Sequence, residues 1–116
     1  MQVPQAIAAL AAITATATSK AIDLSRQEHT TVQFTCANHS SGNGVFSIDA
    51  SNDGTNWTTG IAFQDGTATA STTFITSKTL SSNTSAMAIV PAGYLYIRVV
   101  CTVTTDGTYT AMVFSN

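Results

Sequence analysis

The sequence predicts an all-β sandwich, immunoglobulin-like or jelly-roll, with an Ala-rich N-terminal arm. Three observations carry that expectation. Short apolar–polar alternations recur from about residue 19 to the end, the period that puts one face of a strand in a core. Clusters of Gly, Asn, Asp and Ser separate them, as in Asn52-Asp53-Gly54 and Asp106-Gly107, and such clusters mark turns between short strands. Only 9% of the residues are charged, while 21 are Thr. Thr is β-branched and polar, so it suits the solvent face of a strand.

The 116 residues fit one domain with one core. Two parts are expected: an arm over residues 1–18 and a sandwich over 19–116. In the arm, Pro4 fits the first turn of a short helix through the Ala-rich run to Ile13; the alternative is a flexible or extended tail. Val3, Ile7, Leu10 and Ile13, spaced by three and four, would line one side of that helix. With no charged residue to balance the stripe, the arm is expected to bind a neighbouring subunit more than to build the sandwich.

From Thr14 onward the expected strands are 13–18, 21–24, 30–36, 44–50, 57–64, 67–74, 86–90, 94–103 and 108–114. The Ser/Thr-rich run from Ser71 to Ser85 reads as a strand and a long loop. Residues 94–103 and 108–114 read as a hairpin across Thr104–Gly107. Val45-Phe46-Ser47-Ile48 runs into the Asn52-Asp53-Gly54 turn and then Trp57, a second hairpin signal. By parity, Val32, Phe34 and Cys36 point inward, as do Phe46 and Ile48, and Leu95, Ile97, Val99 and Cys101. Tyr109, Ala111 and Val113 form one face of the last strand. Met112 and Phe114 form the other and mark interaction surface.

The candidates for chemistry are few. Cys36 and Cys101, 65 positions apart with Trp57 between them, point inward from opposite sheets. They form either a disulfide, stabilising by roughly 4 kcal/mol in the chain-entropy model, or two buried thiols. Asp49-x-Ser51-x-Asp53-Gly54 mimics the start of a calcium loop. Gly60 stands where the bidentate Glu is required, so the segment reads as a turn. His29 and His39 lack ligand spacing for zinc. Cys36 with His39 makes a poor nucleophile–base pair, because burial raises a thiol pKa. Asp23, Glu28, Asp49 and Asp65 lie in separate segments, and nothing favours a glycosidase pair among them. The chain therefore reads as a non-enzyme with no catalytic residue, metal or cofactor.

Net charge is −2. Lys20, Arg26, Lys78 and Arg98 are scattered singly, which argues against nucleic acid as a partner. No run of 18 apolar residues argues for a membrane span. The N-terminus lacks the positive region of a signal peptide, so synthesis in the cytoplasm is expected.

Thr30–Phe34 with Val45–Trp57, and Pro91–Val99 with Asp106–Ala111, resemble the strand and hairpin cores of small phage virion β-sandwich proteins. The resemblance covers about residues 20–116. Such modules occur in capsid decoration (cement) proteins, head fibres and tail proteins, and also in carbohydrate-binding modules. It implies a structural virion subunit, a capsid decoration protein attached to the capsid exterior in many copies. The partners would be copies of itself and a major capsid protein, and the location the virion. The alternative is a tail, fibre or carbohydrate-binding adhesion module that stacks a glycan on Trp57, Tyr94, Tyr96 or Tyr109.

Overall fold

Eleven strands and no helix make up the described part of the chain, residues 4–66 and 73–116 of a computed structural model. They are β1 (Gln5–Ile13), β2 (Ala17–Thr18), β3 (Ile22–Asp23), β4 (Thr30–Ala37), β5 (Asn43–Ser51), β6 (Phe63–Asp65), β7 (Phe74–Ile75), β8 (Lys78–Leu80), β9 (Thr84–Val90), β10 (Tyr96–Thr104) and β11 (Thr108–Ser115). One sheet has the order β1-β11-β4-β9-β6-β7. The other has the order β2-β10-β5-β8, with β3 also paired to β10. Every pairing among the described residues is antiparallel.

The pairings are nested. β1 pairs β11, β2 and β3 pair β10, β4 pairs β9, β5 pairs β8, and β6 pairs β7. A single long hairpin, folded over so that its pairs alternate between two sheets, produces this order. That is the jelly-roll arrangement. In the immunoglobulin arrangement the last two strands neighbour each other in one sheet; here β10 and β11 lie in opposite sheets.

Inward alternation builds the core. Val32, Phe34, Phe46, Ile48, Ile97, Val99, Cys101, Tyr109, Ala111 and Val113 are fully buried, and Cys36 nearly so. Phe34 stacks on Phe46 at 4.4 Å between centroids, and Phe63 and Tyr109 meet this pair edge-on at 6.1 Å each. Such aromatic pairs add about 0.5–1.5 kcal/mol beyond the area they bury.

Four expectations are corrected. Residues 5–13 form strand β1, not a helix, so residue 18 is no boundary between arm and sandwich. Helix propensity is a weak prior for so short a segment, and the strand satisfies the outer backbone groups of β11. Of the four arm residues, Leu10 is in the core, Ile13 packs against it and Ile7 is 37% exposed; Val3 lies outside the described residues. Second, β10 and β11 are not a hairpin. The turn at Thr105 and Gly107, with φ of 72° and 109°, carries the chain from one sheet to the other. Third, the strand expected over 57–64 is reduced to one bridge, Ala50 to Thr58, before the chain crosses to the other sheet as β6. Fourth, Leu95 precedes β10 and is 41% exposed instead of buried. The strand expected over 67–74 lies outside the described residues except at its end. Strand β8 occupies part of the run expected to be loop.

Candidate functional site

One end of the sandwich gathers most of the aromatic candidates. β5 and β10 pair with Ser51 opposite Tyr96, and the chain on either side supplies residues 52–60 and 91–95. The turn holds itself together. Ser51 Oγ accepts from the backbone N–H groups of Asp53 and Gly54, and donates to Asp53 Oδ1 at 2.9 Å. The Asp53 carboxylate accepts from the N–H groups of Thr55 and Asn56 and from the Asn56 amide, at 2.8 Å each. These bonds, led by those from Asn56, hold Asp53 well below the usual carboxylate range. Gly54 takes φ of 75°, the left-handed region where glycine is favoured. Asn52 Oδ1 accepts from the Leu95 N–H and ties the turn to the start of β10.

Trp57 is half-buried, and Arg98 lies over its ring, 4.4 Å from the centroid. The same guanidinium donates from Nε to buried Asp49 at 2.9 Å, and Asp49 also accepts from the Gly60 N–H. Asp49 is thus a paired structural anchor. With Arg98 on the indole, a stacking face of Trp57 is already occupied. Beside this group lies an open cavity of about 340 Å³, lined by Ser51, Asn52, Asn56, Thr58, Ile61 and Tyr94. Its polar groups are neutral amides and hydroxyls. That chemistry suits a neutral polyol, but Asn52 and Asn56 already make the bonds that shape the turn.

Trp57, Tyr94 and Tyr96 share this end. Tyr109 does not: it is fully buried at the other end of the sandwich, so it is no ligand aromatic. Its hydroxyl donates to the Asp106 carbonyl at 2.9 Å. Burial and the neighbouring Cys36 push its pKa up to about 12. Cys36 and Cys101 are free, buried thiols. Burial, and then the charge of Cys36, raise Cys101 to about 12, so this thiol is inert at neutral pH.

Several other polar side chains also have structural partners. Asp106 accepts from the N–H groups of Ser40, Ser41 and Gly42, which lowers it to about 2. His39 Nε2 donates to the Gly42 carbonyl at 2.6 Å. Asp65 pairs with Lys78 at 3.2 Å. Hydrogen bonds from Ser25 lower Asp23. Among the described residues, no group of three or more His, Cys, Asp and Glu side chains is placed to hold a metal ion, and no helix is long and apolar enough to cross a membrane.

A second surface is broader. On the outer face of the six-stranded sheet, Phe114, Thr31, Ile89, Gln64 and Phe74 follow one another across the strands, and Met112, Gln33 and Met87 form the next row. Phe74 is 59% exposed and Phe114 46%; Met112, Met87 and Ile89 are 37–41% exposed. Met112 and Phe114 are legible from parity. Met87 and Ile89 are not singled out by the sequence reading, although the signal is present: they alternate with buried Ala86, Ala88 and Val90.

Fold and site together define a jelly-roll sandwich with a self-bonded turn and a small polar cavity at one end, and a sheet face without charged side chains among the described residues. The chain is similar to the crystal structure of SPBc2 prophage-derived protein YomS, with a TM-score of 0.74 and 13% identity over 100% of this chain and 97% of that one. At that identity the likeness shows a shared fold. No protein-family model and no curated protein sequence matches the chain.

Proposed function

We propose that the protein is a structural subunit of a phage particle, a decoration protein that attaches in many copies to the capsid exterior. The observation that carries this reading is the full-length fold likeness to a prophage-derived protein. The jelly roll is a fold of viral shells as well as of lectins. Sparse charge agrees with it, because a surface with 9% charged residues has little self-repulsion when copies crowd on a lattice. Multivalent contact on a repeating shell makes weak single contacts sufficient.

Mixing the purified chain with bare phage capsids and sedimenting them tests the reading. Saturable co-sedimentation at many copies per capsid is expected. Binding to tails or fibres, with none to capsids, would overturn the decoration role. The adhesion reading draws its support from the cavity beside Tyr94. A glycan array screened with wild type and Tyr94→Ala tests it: glycan binding lost in the variant would move the function to that cavity.

A further inference from the structure

We infer that the outer face of the β1-β11-β4-β9-β6-β7 sheet is a two-fold interface that takes a second copy of this chain. Its charge argues first. Asp49, Arg98, Lys78 and Asp23 belong to the other sheet, and Lys20, Arg26, Glu28, Asp53 and Asp106 lie in connections. Asp65 is in β6 but sits opposite buried Ala88, on the inward side, bonded to Lys78. Among the described residues, the outer face thus carries no charge of either sign. A partner recognised by charge would find nothing to pair with, whereas an identical face meets no like-charge repulsion. Two-fold interfaces require that self-compatibility.

Shape argues the same way. Met112 and Phe114 form a ridge on β11, and Met87 and Ile89 form a second on β9. Between them runs β4 with the polar Thr31 and Gln33. The ridges stand about 9–10 Å apart, two strand spacings. Thr31 is half-buried and Gln33 exposed on β4, so the apolar side chains of one copy can interdigitate with those of the other, as between packed sheets.

Area agrees as well. Strands of 9, 8, 8, 7, 3 and 2 residues, at ~3.3 Å per residue and ~4.8 Å spacing, give a face of roughly 600 Å² per copy. Two such faces bury about 1,200 Å², within the range of specific interfaces and above that of incidental contacts. The inference is independent of the capsid role, since oligomeric state is read on the purified chain with no capsid present.

Sedimentation equilibrium of the full chain from about 1 to 100 μM is the test. Wild type should be a dimer. Ile89→Lys and Met112→Lys should each raise the dissociation constant roughly a hundredfold or more, because a charge would be buried without a partner. Both sites are exposed in one copy, so thermal melts at low concentration should stay near wild type. A wild type that stays monomeric to 100 μM would overturn the inference, as would a dimer insensitive to both lysines or a trimer. A monomer whose capsid binding is lost in Ile89→Lys would overturn it too, and would assign the face to the capsid.

Discussion

Tyr109 is fully buried, and its ring lies against the backbone of strand β5 at Gly44 and of the β10–β11 turn at Gly107. A Cβ on Gly44 would overlap the ring edge, and one on Gly107 would sit 2.5 Å from the hydroxyl. Gly107 also takes φ of 109°, where other residues are strained. Gly107→Ala should therefore cost about 1–3 kcal/mol, and Tyr109→Phe about 1 kcal/mol for the bond to Asp106. Urea unfolding midpoints measure both, and equal effects would show that strain and clash at Gly107 do not outweigh that one bond.

The neighbouring Asp106 makes a pH prediction. Its folded pKa of about 2 lies below the unfolded value of about 3.9. The deprotonated carboxylate is the form that accepts from Ser40, Gly42 and Ser41. Its contribution is therefore complete above about pH 4 and is lost as pH falls towards about 2. Melting temperature should drop through that window, and Asp106→Asn should make the drop shallower. Asp53 is depressed in the same direction, so the slope should not vanish.

At the scale of the element, β1 departs most from what its residues advertise. Ala favours helix, yet tertiary pairing overrides so weak a preference. The strand follows β11 from Gln5 opposite Ser115 to Ile13 opposite Tyr109, with register shifts on either side of Leu10. Those irregularities, with Ala12 at φ of 51°, erase the simple alternation that marks β4, β5, β10 and β11. The inward faces of those four strands are legible because period-two patterning is written in large side chains. Which sheet each enters is not legible, because Thr104–Gly107 would serve a hairpin or a crossing equally well. β8 is three residues long and carries no pattern. At the candidate site, Trp57 and the turn stand out in sequence, but the Arg98–Asp49 pair that occupies the indole is long-range and invisible there.

Deleting residues 2–13 tests the role of β1. The deletion removes Leu10 from the core and exposes the edge of β11. It should lower stability by at least the ~2–5 kcal/mol of a Leu→Ala core change, read as a large fall in melting temperature or loss of the β-sheet circular dichroism signal. A truncated chain that melts like wild type would make β1 an accessory strand.

At the scale of the whole molecule, the nested pairing decides how the protein unfolds. The chain changes sheet after β1, β3, β4, β5, β7, β8, β9 and β10, and stays in a sheet only after β2 and β6. Neither sheet is therefore a continuous piece of chain, and neither can keep its pairings once the other is lost. The core has the same property: Phe34 and Phe63 from one sheet interlock with Phe46 from the other. Unfolding should thus be a single cooperative transition, as for most domains of this size. Trp57, the only tryptophan, reports on the β5–β10 end, while far-ultraviolet circular dichroism reports on both sheets. Urea curves from the two probes should coincide in midpoint and slope. Phe46→Ala, a loss of about 3–5 kcal/mol, should shift both together. A tryptophan transition that precedes the loss of sheet would show that the Trp57–Arg98–Asp49 end opens alone, as a local unit of low stability.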